Sequence, residues 1–463
     1  FIAVTQLGGD FGLAGHTNVE LAGLYGLAKT VALEHPEAIV HAVDTSVDTS
    51  WAQVVSALTQ SGPVELGVRA SARTTLASIQ IPQPHHRPVL GPDDVLVVSG
   101  GARGVTAACV IELAAQTQVK LALLGRSRID EVESTEISGA HHEAELMKLL
   151  APTAKGPAAL KKTVGAILAA REARATIHAV QAAGGQAIYV VCDVSSAESV
   201  ATALDHVRAT LGAITGIVHG AGVIHDRRVK DKTAEQWDAV WSTKIGGVHA
   251  LLAATANDEL RTICFFSSVA ARTGNFGQAD YAASNEVLNR LAALEGKRRP
   301  DAVVKSIGWG PWEGGMVTPS LAKAFHSRGI ALIPLIDGAK AFVDELGAPG
   351  ATEVVIGGLL AGDPTAPSLR RVNRRDYPFL ADHSVGDAPV VPVVLALEWF
   401  AQRARELAPG KFVQEVCDVR VLKGITCRDY DGAGDVLAIH GIPAPAGEST
   451  FELRSSGGML HYR

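Results

Sequence analysis

Between about residues 94 and 360, short β-branched runs alternate with segments of helical apolar spacing, and few architectures tolerate that pattern. VLVVSG leads into TAACVIELAAQ, LALLGRS into a long helical stretch, AIYVVCDV into another helix, and GIVHGAG follows. Near-continuous apolar strands joined by helical crossovers predict a doubly wound parallel sheet covered on both faces. The core of such a sheet must come from Ala, Val, Leu and Ile, because aromatic residues are only 5% of the chain.

Two flanking blocks follow other rules. Residues 1–80 read as strand (FIAVTQ), helix, strand (IVHAVDTS), helix and strand, and end at a Pro-rich linker over 81–93. The alternating region occupies 94–361, and a second linker is expected over 362–375. Beyond it, from 376 to 463, a helix (VVLALEWFAQRARELA) precedes several strand-like runs, an α+β order. A length of 463 residues accommodates this division. The start at Phe1 and the end at Arg463, each in a strand-like run, are read as cuts through folded units of a longer polypeptide.

Composition excludes several function classes. A net charge of −6 without a run of Lys or Arg gives no footprint for nucleic acid. No apolar stretch is long enough for a bilayer, and no signal segment opens the chain. The five cysteines are scattered and form no CxxC pair, so neither a disulfide framework nor a metal site is expected, and a cytoplasmic location fits.

The run VLVVSGGARGVTAACVIELAA is strand, glycine-rich turn and helix. Gly100, Gly101 and Gly104, with Ala102, Arg103 and Val105 between and after them, form a turn through which backbone can approach a pyrophosphate at a helix N-terminus. Thr106 stands where a third glycine is usual. The second strand ends in Gly125, Arg126 and Ser127, with no acid for ribose hydroxyls. Arg103 and Arg126 suit a 2′-phosphate, so NADPH is the expected cofactor. Asp193 and Val194, after the third strand, would meet the adenine.

The stretch FFSSVAARTGNFGQADYAASN holds Ser268, Tyr281 and Asn285, the last two one helical turn apart. Lys244 lies upstream in VWSTKIGGVHALL. Ketone reduction by hydride needs a polarised oxygen and a proton for the alkoxide. Tyr281 supplies the proton once a nearby ammonium, Lys244, lowers its pKa. Ser268 donates a second hydrogen bond to the oxygen. Asn285 holds a relay water or positions Lys244.

The opening block parallels this region. Aligning the ALE triplets at Ala32 and Ala293 puts Glu20 opposite Tyr281 and Leu24 opposite Asn285. Residues 1–80 are therefore read as a degenerate copy that keeps the pattern and lacks the reactive groups.

On these residues the chain resembles the ketoreductase domains of polyketide synthases. SGGARGVTA, HGAGVIHD, TGNFGQADYAASNEVLNR and SIGWGPWEGGMVTPSL are most similar to the ketoreductase of bacterial polyunsaturated-fatty-acid synthases. The resemblance covers about residues 1–360. It implies a short-chain-dehydrogenase Rossmann subdomain preceded by a truncated, non-catalytic structural subdomain. It also implies reduction of a 3-ketoacyl thioester carried by a phosphopantetheinylated acyl carrier protein. The other domains of the same synthase would be partners, in a homodimeric parent. His219, Gly220, Ala221 and Gly222 then flank the nicotinamide, and Gly310 and Pro311 lie near its carboxamide. The loop EGGMVTPSLAKAF becomes a substrate lid with Met316 toward the acyl chain. Ile224, His225 and Asp226 occupy the family's LDD position, and Thr273 stands where the opposite class has Trp, so a D-(3R)-hydroxyl is expected. A helical insertion over about 128–170 has no assigned role. DYPFLADHSVGDAPVVPVVLALEWFAQRA resembles the start of a hotdog dehydratase, with His383 at its catalytic histidine and Pro392 nine residues on. The rival readings are a stand-alone alcohol dehydrogenase acting on small free substrates and a non-catalytic docking module. The degenerate copy and the appended C-terminal unit speak against the first, and the intact tetrad against the second.

Overall fold

A computed structural model describes residues 1–59, 63–69, 72–76, 78, 88, 90–130, 133–315, 317, 321–323, 325, 330–348, 350–357, 367–386, 388–407, 413–432, 434–442, 448–455 and 457–463. The first unit runs β1 (Ile2–Thr5), α1 (Gly23–Glu34), β2 (His41–Thr45), α2 (Trp51–Leu58), β3 (Glu65–Arg69) and β4 (Ala72–Thr74). Strands β1, β2 and β3 pair in parallel and β4 closes the edge antiparallel.

The central unit begins with β5 (Val95–Ser99), α3 (Gly104–Thr117) and β6 (Lys120–Gly125). Three helices follow, α4 (Thr135–Gly139), α5 (Glu143–Leu150) and α6 (Pro157–Ala182), then β7 (Gln186–Val191), α7 (Ala197–Leu211) and β8 (Gly216–His219). The expected insertion is helical, and its last helix runs on without a break into the crossover before β7. After α8 (Ala234–Trp241), a π-helical turn at Ser242–Gly246 leads into α9 (Gly247–Ala254) and β9 (Thr262–Ser268). Then come α10 (Ala270–Thr273), α11 (Ala279–Arg298), β10 (Val303–Trp309), α12 (Leu335–Gly347) and β11 (Glu353–Ile356).

The seven parallel strands lie in the order β11-β10-β9-β8-β5-β6-β7. The order reverses between β5 and β8, the switch point where ligands bind beyond the strands' carboxyl ends. Alternate residues face opposite layers. Val95 and Val97 join Ala122 and Leu124 in one core, whereas Leu96 and Val98 join Leu121 and Leu123 in the other. Each fully buried Leu or Val contributes about 1.5–3 kcal/mol, so this two-faced burial is the main force that organises the unit.

The register that sets Glu20 opposite Tyr281 also sets β1 opposite residues 263–266 of β9, α1 opposite 284–295 of α11, and β2 opposite 302–306 beside β10. The order β1-β2-β3 repeats β9-β10-β11. Helices α1 and α11 pack closely, because Gly26 bears no side chain where one would collide with the Ala282 carbonyl. Buried charges flank the same seam, and Lys29 of α1 reaches across it to within 3.9 Å of Glu286 of α11. Lys29 pairs with Glu65, while Arg272 and Arg290 both pair with Glu286 and Glu353.

The C-terminal unit contains β12 (Ser368–Val372), β13 (Ser384–Val385), β14 (Ala388–Val391), α13 (Val393–Leu407), β15 (Ile425–Thr426), β16 (Asp435–Ile442), β17 (Thr450–Ser455) and β18 (Leu460–Tyr462). An antiparallel sheet β12-β16-β17-β18 packs with Trp399 and Phe400 of α13. The range expected as a linker, 362–375, needs correction, since β12 falls inside it. Its arginines hid a strand whose Val372 is fully buried and whose whole length pairs with β16. Among the described residues, no helix is long and apolar enough to cross a membrane.

Candidate active site

Ser268 ends β9, Tyr281 and Asn285 lie in the first turns of α11, and Lys244 is the middle residue of the π-helical turn. A π turn rotates the residues around it out of regular helical register, a distortion frequent at functional sites. Lys244 is buried and its Nζ donates to the Phe266 carbonyl at 3.0 Å. The same Nζ stands 5.2 Å from the centre of the Tyr281 ring. Gly222 lies alongside, and a Cβ there would come within 3.2 Å of the lysine stem.

Asn285 donates from Nδ2 to the Tyr281 carbonyl at 2.8 Å, and its Oδ1 is buried without a hydrogen-bond partner. Ser268 Oγ accepts the Ala270 N–H at 3.2 Å, which leaves its own proton available. The Tyr281 phenol lies above its ordinary pKa, chiefly because it is removed from water. Contacts with Ser268 and Asn285 pull it partway back, and Asp226 pushes it up. Burial alone takes Lys244 down to about 7. Here desolvation outweighs the effect expected of a neighbouring ammonium, and the phenol holds its proton.

His219 fixes this lysine from below. Its ring bonds Ser99 Oγ at 2.7 Å and the Lys244 carbonyl at 2.9 Å, and burial pushes its pKa down to about 3. A neutral ring thereby ties β5, β8 and the π turn together.

The glycine-rich turn forms a cradle. Gly100 has φ +68°, and a Cβ on it would come 3.0 Å from the Ala221 backbone. A Cβ on Gly101 would press the Val98 side chain at 2.6 Å. Arg103 caps α3 in extended conformation, and Gly104 opens the helix at φ +59°. Thr106 takes the third-glycine position without loss of packing, because Gly220 faces it. Arg126 is exposed and lowers the pKa of Asp193, after the larger effect of Ser195. Val194 is buried beside it. The donors and the open turn fit a phosphorylated dinucleotide.

Sequence reasoning missed three neighbours of the cradle. Burial pushes the Tyr189 phenol on β7 up, Ser127 and Arg103 nearby pull it partway back, and Gly125 leaves room for it. Glu172 on α6 accepts the Gly104 N–H at 2.8 Å. One turn on, Thr176 donates to the Ala102 carbonyl at 2.9 Å. None of the three carries a local signal, because each meets the turn only through the fold.

The remaining expected residues are dispersed. Gly310 donates to Ile356 and Pro311 accepts from Ile333, both at 2.8 Å, at the exit of β10. Asp226 accepts from Gln278 at 3.0 Å. Met316 lies outside the described residues. His383 belongs to the C-terminal unit, where its ring is exposed.

Residues 95–314 match the KR domain model. The chain is similar to a polyunsaturated fatty acid synthase protein of Thraustochytrium sp., 34% identical over an alignment of 459 residues that covers 92% of this chain and 16% of that protein. It therefore spans a small part of that relative. Among solved structures it is similar to A-type ketoreductases from a modular polyketide synthase (TM-score 0.57, 26% identity, 78% of this chain and 69% of that one). A ketoreductase from the first module of phoslactomycin biosynthesis in Streptomyces sp. HK803 shares the fold (TM-score 0.60, 23% identity, 77% of this chain and 74% of that one).

Proposed function

We propose that residues 95–314, which match the KR domain model, are a synthase-type ketoreductase of Rossmann class, and that this chain reduces a 3-ketoacyl thioester to the 3-hydroxyacyl thioester with NADPH. The observation that carries the reading is the convergence of Ser268, Tyr281, Lys244 and Asn285 beside the glycine-rich turn, at the switch point of the sheet. The dinucleotide, when bound, supplies hydride to the carbonyl carbon. Gly100, Gly101, Gly104 and Val105 hold its phosphates, Arg103, Arg126 and Ser127 its 2′-phosphate, and Asp193 and Val194 its adenine. Gly220, Ala221, Gly222, Gly310 and Pro311 border its nicotinamide.

The carbonyl oxygen accepts hydrogen bonds from Ser268 and Tyr281. As negative charge gathers on that oxygen, the Tyr281 phenol transfers its proton and Lys244 stabilises the phenolate left behind. The raised pKa of Tyr281 keeps the acid loaded at neutral pH. The unpartnered Oδ1 of Asn285 is a site for a water that returns the proton. Asp226 directs hydride to the face giving the D-(3R) alcohol.

The substrate is presented by a phosphopantetheinylated acyl carrier protein within a homodimeric cytoplasmic synthase. Residues 1–80 act as the degenerate structural subdomain, joined through 81–93 to the catalytic subdomain at 94–361. Residues 376–463, extended at their start by β12, are read as the start of a hotdog dehydratase, in which His383 is either half of a site or a structural relic. Antiparallel strands packed with one long helix support that reading.

The test follows NADPH absorbance with trans-1-decalone and with carrier-linked and free 3-ketoacyl thioesters. Tyr281→Phe is expected to lower kcat/KM about 10³-fold while leaving NADPH affinity near that of the parent. Full activity in the variant would sink the mechanism. Equal turnover of carrier-linked and free substrates would favour a stand-alone dehydrogenase.

A further inference from the structure

The first unit carries no reactive groups at the aligned positions, yet one of its carboxylates holds two loops beside Tyr281. Glu34, at the end of α1, accepts the Gly277 N–H with Oε1 at 2.8 Å and the Val229 N–H with Oε2 at 2.7 Å. Gly277 belongs to the loop 274–278, which joins the Ser268 side of the site to the start of α11. Val229 belongs to the loop 223–233, which contains Asp226.

The same face of α1 supports the first loop at two further points. Thr30, one turn before Glu34, accepts the Asn275 N–H at 3.3 Å. Gly274, at φ +68°, lies so close to Lys29 and Thr30 that a Cβ would strike their backbone at 2.7–2.8 Å. The two loops are then joined to each other. Arg227 N–H donates to the Gly277 carbonyl at 2.9 Å, and Gln278 donates to Asp226 at 3.0 Å.

The far end of the second loop is pinned independently. Lys232 pairs with Asp280 at 2.8 Å, both almost fully buried, and the same ammonium donates to the His225 carbonyl at 2.7 Å. Asp280 in turn accepts the Tyr281 N–H at 2.9 Å. Between the held His225 carbonyl and the held Val229 N–H lie Asp226, Arg227 and Arg228, and Asp226 acts on the Tyr281 phenol.

We propose that Glu34 is a positioning residue through which the N-terminal unit fixes the substrate-side loops and thereby sets ketone affinity and the face that is reduced. This inference rests on the reductase reading. A carboxylate suits the task because it offers two acceptors in one plane, and charge-assisted hydrogen bonds to amides are short and strong. An amide of the same shape keeps one acceptor and turns an NH₂ toward the other N–H.

Steady-state kinetics on the full chain, with NADPH affinity and product analysis, test it. Glu34→Gln is expected to raise KM for trans-1-decalone about ten-fold. It should also erode the ratio of the diastereomeric alcohols and leave the NADPH Kd within about two-fold of the parent's. Val229→Pro deletes the second donor from the other side of the contact. Val229 opens a short 3-10 turn after an extended residue, a place proline accepts, so the variant serves if Glu34→Gln fails to fold. The same KM and product-ratio changes are expected of it. Parental KM and product ratio in either folded variant, including one that only melts earlier, would overturn the inference. Silence of the unaltered chain would instead overturn the reductase reading beneath it, which separates the two failures.

Discussion

Lys244 has little but carbonyl oxygen and aromatic carbon around its charge, and that cost bears on stability as well as chemistry. Its folded pKa, about 7, lies below the usual lysine value of 10.5. Between those values the folded chain binds fewer protons than the unfolded one, so stability rises as pH climbs from 7 toward 10.5. At pH 7 the penalty is on the order of a few kcal/mol. Lys244→Met keeps the stem and removes the charge. It is expected to raise the melting temperature of the cofactor-free chain by several degrees at pH 7 and to abolish reduction. The stability gain should shrink toward zero by about pH 10.5; a gain independent of pH would mean that packing, not charge, is responsible. A second residue-scale expectation concerns coenzyme choice. With the Tyr189 phenol near Ser127 and Arg103, Tyr189→Phe should weaken NADPH binding about three- to ten-fold while NADH binding changes little. Titration of both coenzymes decides it.

At the scale of elements, α6 brings a carboxylate to the place where the cofactor's phosphates are proposed to lie. The N-terminus of α3 favours an anion, and in this structure Glu172 is that anion. Bound phosphate has to displace it or share the field with it. Glu172→Gln keeps the size and removes the repulsion, so NADPH affinity should rise about three-fold or more, most at low ionic strength. Unchanged affinity at low salt would show that the two do not compete. The alternation of β-branched runs and helices was enough to read the parallel sheet, because each strand records its own burial in its own residues. Ser268, Tyr281 and Asn285 could be proposed together because they lie on one contiguous stretch, with Lys244 upstream of it. Glu172, Tyr189 and Glu34 were not legible. Each acts on backbone far away in sequence and leaves no periodicity or spacing to find. Strand β12 was hidden for a related reason, since its charged residues are tolerated on a sheet whose partner strand comes some 60 residues later.

Across the whole molecule, the seam between α1 and α11 couples a unit without reactive groups to the helix that carries Tyr281. Two helical glycines separate the coupling from ordinary helix propensity. Gly165, inside α6, has nothing within 4 Å of where a Cβ would stand. Gly165→Ala should therefore stabilise the chain by about 0.5–1 kcal/mol, because alanine loses less backbone entropy in a helix. Gly26 gains the same propensity term, but its Cβ would meet the Ala282 backbone, which no rotamer change can relieve. The two helices have to move apart, and the buried pair of Lys29 with Glu286 across the seam opens with them. Overpacking of this kind costs about 1–3 kcal/mol, which exceeds the propensity gain. Breaking a buried ion pair costs more than an apolar neighbour would. Gly26→Ala is thus expected to lower the melting temperature while Gly165→Ala raises it. Because α11 carries the proposed acid, Gly26→Ala should also lower kcat measured well below its melting transition. Opposite signs in paired thermal melts, with kcat lost only in Gly26→Ala, would mark the seam as part of the machinery; a Gly26→Ala chain that melts later and turns over normally would mean that the two units merely lie side by side.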